Sequence, residues 1–282
     1  MRGSWIKPLR SLGKRWMYGA IALIVASSLV IATPKASKAG ILDLIFNGIQ
    51  YIQLSNLSDE QEVRLGQQTD RALRQQGVRI YNGDASLVDY VDSIGQRLAN
   101  SSSRSNIPYT FQVVQDDSVN AFATSGGFVY VHSGLIREAE TEAELAGVMA
   151  HEIGHIVGRH AINRMREITL ANGIAGALGV SEDDLVNIGV QLALFLPNSR
   201  SAEYEADALG YENMGAAGYD QRGLISFMET LSEGGSPPEF FSTHPDPDNR
   251  VDRLQGMYDE SHVESATDGN NAQAYQARIS GL

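Results

Sequence analysis

Cysteine is absent from the 282-residue chain. That excludes a thiol nucleophile, a disulfide framework, a thiolate zinc site and a cysteine-linked lipid. Any metal must therefore be held by histidine, carboxylate or water. Lysine is absent after Lys38, and the first 39 residues contain no Asp or Glu. Seven of the 22 basic residues lie in that stretch; without it 15 basic residues face 34 acidic ones, and the formal charge moves from −12 to −19. So acidic a surface repels nucleic acid and anionic membrane, which argues against a nucleic-acid role. An apolar run long enough to span a bilayer is also lacking. Residues 17–32 supply 16 residues, short of the roughly 20 that a span needs.

That run sits where an export signal belongs. Basic residues precede it, and Ser37-Lys38-Ala39 follows, with small residues placed for cleavage after Ala39. The expected organisation is a signal peptide over 1–39, a folded domain over 40–258 and a polar, disordered tail over 259–282. An uncleaved anchor is the alternative for the first segment. Export leads to a periplasm or an equivalent lumen. A content of 43% hydrophobic and 20% charged residues supports a real core.

Residues 41–55 are apolar and predict a short packing helix, with contact to a membrane surface as the alternative. Ser58 and Gln61 form a capping box that opens a polar helix over about 59–76, ended by Gly77. Leu87, Val88, Tyr90, Val91, Ile94 and Leu98 recur at helical spacing and predict a second helix over about 85–100. Tyr109, Phe111 and Val113 alternate with Thr110 and Gln112 as in a strand. Residues 120–133 predict two short strands around a Ser125-Gly126-Gly127 turn. Thr141 with Glu144 caps a helix over about 142–166. Its stretch from Leu145 to Val157 is apolar on nearly every side except at His151, Glu152 and His155, the mark of a helix buried in the domain centre. Residues 168–197 predict a packed helical pair. Further helices are predicted over about 200–214, 221–232 and 249–257, around a proline-stiffened His244-Pro245-Asp246-Pro247 segment. The class that results is α+β, mostly α.

The chemistry concentrates in His151-Glu152-Ile153-Gly154-His155. Residues four apart share a helical face, so both imidazoles can reach one metal ion. Glu152 projects beside them, placed to take a proton from the water that a zinc ion activates. A buried helix rarely keeps two His and a Glu unless they are paired or ligate something. A third histidine in the metzincin position is missing, because position 161 is Ala and His160 comes one residue early. Glu203 and Asp207, also four apart, offer a carboxylate ligand and a hydrogen-bond acceptor for a ligand histidine. From pattern alone, a solvated acidic face remains the alternative for that pair.

Further pieces stand in a telling order: Asn120-Ala121-Phe122-Ala123, Gly126-Gly127, Gly134-Leu135-Ile136, Glu144-Leu145-Ala146 before the metal helix, His160 after it, Arg200, Glu203, Ala206-Asp207, His244-Pro245 and Arg250. In this set the chain resembles the HtpX-like and CAAX-prenyl-protease type zinc endopeptidases of the M48 peptidase family, and specifically soluble exported members. The resemblance covers about residues 58–257. It implies a zincin-like (gluzincin) fold with a small β-sheet over the metal-binding helix and one zinc per chain. It implies that His151, His155 and Glu203 are ligands, that Glu152 is the base and that Asp207 steadies a ligand histidine. It suggests His244 as a second electrophile beside the metal, with loop packing as the alternative. Arg250 either anchors that loop, pairs with a metal-site carboxylate or is a surface arginine. Strand 127–133 is similar to the edge strand that holds extended substrate in such enzymes, and Asn120 and Ala121 would then contact substrate backbone. Two departures matter. Thr124-Ser125 stand where family members often have Leu-Pro, and the membrane-spanning helices of integral-membrane relatives are missing.

The function implied is hydrolysis of misfolded or unassembled proteins outside the cytoplasm, with protein or peptide substrates and no nucleic acid. The alternative is an exported chaperone or assembly factor that keeps a structural metal site. Peripheral membrane association is left open, and the sequence is silent on oligomeric state.

Overall fold

The computed structural model describes residues 57–171, 181–233, 239–245, 247–260 and 267–282. The expected signal segment, the helix expected over 41–55 and residues 172–180 of the expected helical pair lie outside them. Among the described residues, no helix is long and apolar enough to cross a membrane.

Helix α1 (Asp59–Gln75) starts at the predicted capping box, with the Ser58 hydroxyl accepting from the Gln61 amide and the Gln61 side chain returning to the Ser58 amide. Helix α2 (Ala85–Ser101) opens on Asp84 and buries Leu87, Val91, Ile94 and Leu98, the stripe read from the sequence. Three strands follow: β1 (Thr110–Val114), β2 (Ala121–Thr124) and β3 (Phe128–His132). Their order is β1-β3-β2, with β1 parallel and β2 antiparallel to β3.

This order corrects one expectation. The strand at 127–133 is the centre of the sheet, paired on both sides, and the edges are β2 and β1, the latter partly covered by backbone bonds to Arg79 and Tyr81. The Ser125-Gly126-Gly127 turn folds β2 back along β3, while β1 takes the opposite flank. Gly126 and Gly127 adopt φ of 75° and 94°, a region open to glycine at little cost.

A short α3 (Ser133–Glu138) leads to α4 (Glu142–Val157), in which every residue from Ala143 to Ile156 is buried. The helix expected to run on to 166 is broken. Gly158 ends α4, Arg159 sits at φ 52°, and α5 (His160–Ala171) begins at once. Then come α6 (Glu182–Phe195), α7 (Arg200–Ala217), α8 (Arg222–Glu233), α9 (Glu239–Thr243), α10 (Pro247–Glu260) and α11 (Ala272–Ile279). Helix α4 is the axis of the core, packed by α7, α8, α2 and the sheet. It meets α7 closely because glycines face the contact. A Cβ on Gly154 would lie 2.5 Å from the Ala206 carbonyl oxygen, and one on Gly210 would lie 2.9 Å from the His151 amide nitrogen.

The tail read as disordered is in part docked. Asp268 bridges to Tyr219, and in α11 Tyr275 and Ile279 are buried, the Tyr275 hydroxyl donating to the Ile136 carbonyl at 2.6 Å. Two apolar residues four apart suffice to dock a segment that is otherwise polar, too weak a stripe to stand out in the sequence. Mostly α with one small sheet, the architecture is the α+β class expected.

Candidate metal centre and cleft

Four side chains from three places in the chain converge. His151, His155, Glu203 and His244 each offer one ligand atom, all within 4.8 Å of one another, and all four residues are buried. The spacing of His151 and His155 on α4 puts both rings on one face. Glu203 and Asp207 stand likewise on the face of α7 that packs against it.

The hydrogen bonds behind the rings decide where their lone pairs point. His151 Nδ1 lies 2.8 Å from Asp207 Oδ1, so Nδ1 carries the proton and Nε2 is bare. His155 Nδ1 lies 2.8 Å from His160 Nδ1, and His160 Nε2 lies 3.3 Å from Glu205 Oε2. With His160 donating to Glu205, its Nδ1 accepts from His155, which bares His155 Nε2 as well. The two bare nitrogens face each other at 3.0 Å. Glu203 closes the set with Oε2 3.4 Å from His151 Nε2 and Oε1 3.3 Å from His155 Nε2. Among the described residues, Glu203 Oε1 accepts no hydrogen bond. Three electron-rich atoms thus converge with no proton assigned between them, an arrangement that a cation stabilises. Donors about 2.0–2.1 Å from a tetrahedral zinc stand about 3.3 Å apart, so the residues present fit that ion.

Charge behind the centre is matched. Arg250 is fully buried; its Nη2 and Nε each lie 2.7 Å from an Asp207 oxygen, and Nη1 lies 2.9 Å from Glu203 Oε2. Nη1 also donates to the His244 carbonyl at 3.3 Å. Both site roles considered for Arg250, loop anchor and partner of a metal-site carboxylate, are therefore combined in one guanidinium. Burial opposes ionisation of Asp207, but Arg250 and His151 outweigh it and hold its carboxyl down at about 2. Burial and Arg250 both disfavour the charged form of His151, yet Asp207 and Glu203 carry it up to about 9, so that without a cation a second proton on Nε2 takes the place beside Glu203 that a cation would fill. Burial dominates at His155 and presses it to about 3. Glu203 is held well below the usual carboxylate range, with the surrounding histidines overcoming its burial.

Glu152 faces the cleft side of the same turn. Its Oε1 accepts no hydrogen bond among the described residues, and burial raises its pKa. His244 is held by stacking on Phe240, ring centroids 4.4 Å apart. Its Nδ1 lies 3.3 Å from both His151 Nε2 and Glu203 Oε2, and its Nε2 lies 3.4 Å from Glu152 Oε1 and from the Ala121 carbonyl oxygen. Suggested as an electrophile, His244 thus stands where a fourth ligand would.

His160 is the contact that the sequence did not yield. In an unbroken helix a residue five after His155 points well away from it; the break at Gly158-Arg159 swings His160 back against its ring. Glu205, two residues beyond Glu203 on α7, meets His160. Asn120 is buried and turned inward, its Oδ1 accepting from the Ala121 amide at 2.9 Å, and its carbonyl takes the His132 amide at 3.0 Å. By antiparallel alternation Ala121 and Ala123 turn their backbone away from β3; Asn120 Oδ1 takes the Ala121 amide, and Ala123 faces the open edge. The cleft beside this edge, open to solvent, is lined by Phe122–Ser125, Glu152, His155, Ile162 and Leu192 among others.

Residues 86–258 match the profile of peptidase family M48. The chain is 32% identical over 218 residues to a beta-barrel assembly-enhancing protease of Yersinia pestis, and 31% identical over 223 residues to that of Escherichia coli. Each match covers 70% of this chain and 44% of the relative, so the chain spans less than half the length of these proteins. It is 28% identical over 236 residues to the mitochondrial metalloendopeptidase OMA1 of Schizosaccharomyces pombe, covering 79% of this chain and 70% of that one.

Proposed function

The chain belongs to peptidase family M48, and from that premise we propose that it is an exported zinc endopeptidase that cuts unassembled or misfolded proteins outside the cytoplasm. One observation carries the reading. Nitrogens of His151 and His155 and the Glu203 carboxylate converge in a buried centre, and the Glu152 carboxylate, whose Oε1 accepts no hydrogen bond among the described residues, stands at its cleft side. His151, His155 and Glu203 would hold the zinc, which supplies a Lewis acid for the scissile carbonyl and activates water at neutral pH. Glu152 takes the proton of the attacking water and delivers it to the departing amine. Its raised pKa suits both halves of that transfer, since a carboxylate nearer neutrality gives the proton back more readily. Asp207 and His160 fix the tautomers of His151 and His155. The backbone of Ala123 on the open edge of β2 binds an extended chain by strand addition, which asks little of its sequence.

The substrate class follows from that mode of binding, since only unfolded segments offer an unpaired backbone. The name carried by the Yersinia and Escherichia relatives points the same way, toward β-barrel proteins in assembly. Export rests on the N-terminal sequence pattern. A second reading, an assembly factor with a structural metal, has one observation in its favour: with His244 in place the centre has four protein donors, the number typical of structural zinc. Casein cleavage by the wild type and by Glu152→Gln, with and without chelator and with zinc quantified, separates the two. The expected result is one zinc in each protein and cleavage by the untreated wild type alone. Zinc in both with no cleavage by either favours the assembly factor, and absence of zinc from both refutes the centre.

A further inference from the structure

At the far end of β2 the cleft wall carries two hydroxyls with no hydrogen-bond partner among the described residues, those of Thr124 and Ser125. Thr124 is 4% exposed and Ser125 3% exposed. Buried hydroxyls left unsatisfied destabilise the fold, because the desolvation cost of each is not recovered. Their neighbours are engaged elsewhere. Tyr130, which lies on the same face of the sheet and close to the Thr124 hydroxyl, donates its own hydroxyl proton to Asp70 at 2.9 Å. The Gly126 amide donates to Glu62 Oε1 at 3.3 Å. The Glu62 carboxylate is further gripped by Arg104 Nη2 at 3.0 Å and Arg159 Nε at 3.3 Å. The charged groups at this end are thus paired with one another, and the two hydroxyls are the neutral polar groups left open.

We propose that Thr124 and Ser125 form a specificity subsite for a neutral hydrogen-bonding side chain of the substrate, a carboxamide or a hydroxyl. The proposal rests on the peptidase reading, because it takes β2 as the strand that the substrate pairs with. Ala121 marks the reacting end of that strand, since its carbonyl lies within 3.4 Å of the same His244 nitrogen that faces Glu152. Thr124 and Ser125 are three and four residues further on, about 10–13 Å at the rise of a strand. A paired substrate therefore sets its third or fourth residue from the scissile bond against the hydroxyls. An apolar side chain there leaves both hydroxyls dry and unpaired, whereas Asn, Gln, Ser or Thr satisfies them. A charged side chain would have to compete with guanidinium–carboxylate pairs already made.

The test uses zinc-loaded Glu152→Gln protein and unstructured peptides of about ten residues in which a single Asn or Leu is walked through an otherwise constant sequence. The expected result is one position at which Asn binds about fivefold or more tighter than Leu, the worth of about one net hydrogen bond. That preference is expected to vanish in Thr124→Val/Ser125→Ala and to survive in Thr124→Ser. Melting temperature and zinc content of each variant report whether it is folded. Peptides that bind equally with Asn and Leu at every position overturn the subsite and leave the peptidase reading standing, as does a preference that persists in the double variant. If no peptide binds and the wild type cuts none, the strand-pairing reading falls and the subsite with it.

Discussion

Behind the candidate metal ligands, toward α7 and α10, buried charge is paired: Asp207 with Arg250 and His151, Glu203 Oε2 with Arg250. In front, along the cleft, Glu152 Oε1, Glu203 Oε1 and the hydroxyls of Thr124 and Ser125 have no hydrogen-bond partner among the described residues. The two regions are equally buried, so burial does not separate them. The rear groups complete one another and hold the ligands in place. The front groups stay costly until a cation or a substrate arrives, and function concentrates where that cost is left standing.

The sharpest way to break this contrast is at Glu152. Glu152→Gln is expected to lower casein cleavage by about 10²–10⁴-fold with zinc content unchanged. Retention of substantial cleavage would show that the unpartnered carboxylate is idle. Arg250→Met tests the rear. It strands two buried carboxylates and is expected to cost about 3–5 kcal/mol in urea unfolding with chelator present. Ser125→Ala in front removes a buried hydroxyl that has no hydrogen bond and should leave stability unchanged or raise it by up to about 1–3 kcal/mol under the same conditions. Equal costs for the two variants would erase the distinction.

Packing of α4 on α7 gives the next effect. Gly210→Ala puts a methyl against the His151 backbone and is expected to destabilise by about 1–3 kcal/mol, read from the same unfolding curves. His244→Ala removes one of four donors and should leave zinc bound while cleavage rises several-fold, because three donors leave a position open. A fall in cleavage instead would favour His244 as the electrophile that the family resemblance suggested.

The smallest effect lies outside both regions. Burial lowers the pKa of His132, with Asp116 and Glu239 opposing it. The unfolded chain therefore takes up the proton first. The stability linked to neutral His132 is present above the unfolded value near 6.5 and is lost as pH falls toward the folded one. Between pH 7.5 and 5, wild type should lose more unfolding free energy than His132→Gln, a difference that urea titrations at the two pH values measure.

The sequence by itself determined what short-range rules govern. Helical periodicity placed α2 and α4, Ser58 and Thr141 marked helix starts, and the four-residue spacing paired His151 with His155 and Glu203 with Asp207. Tertiary structure decided the rest. The strand at 128–132 became central because β1 took its other flank, and no local pattern records that choice. His160 reached His155 only through the break at Arg159. Arg250 and His244 arrived from far along the chain, and two apolar residues docked the tail. Each of these depends on which surfaces meet, and contacts between distant segments leave only faint marks in the periodicity of either one.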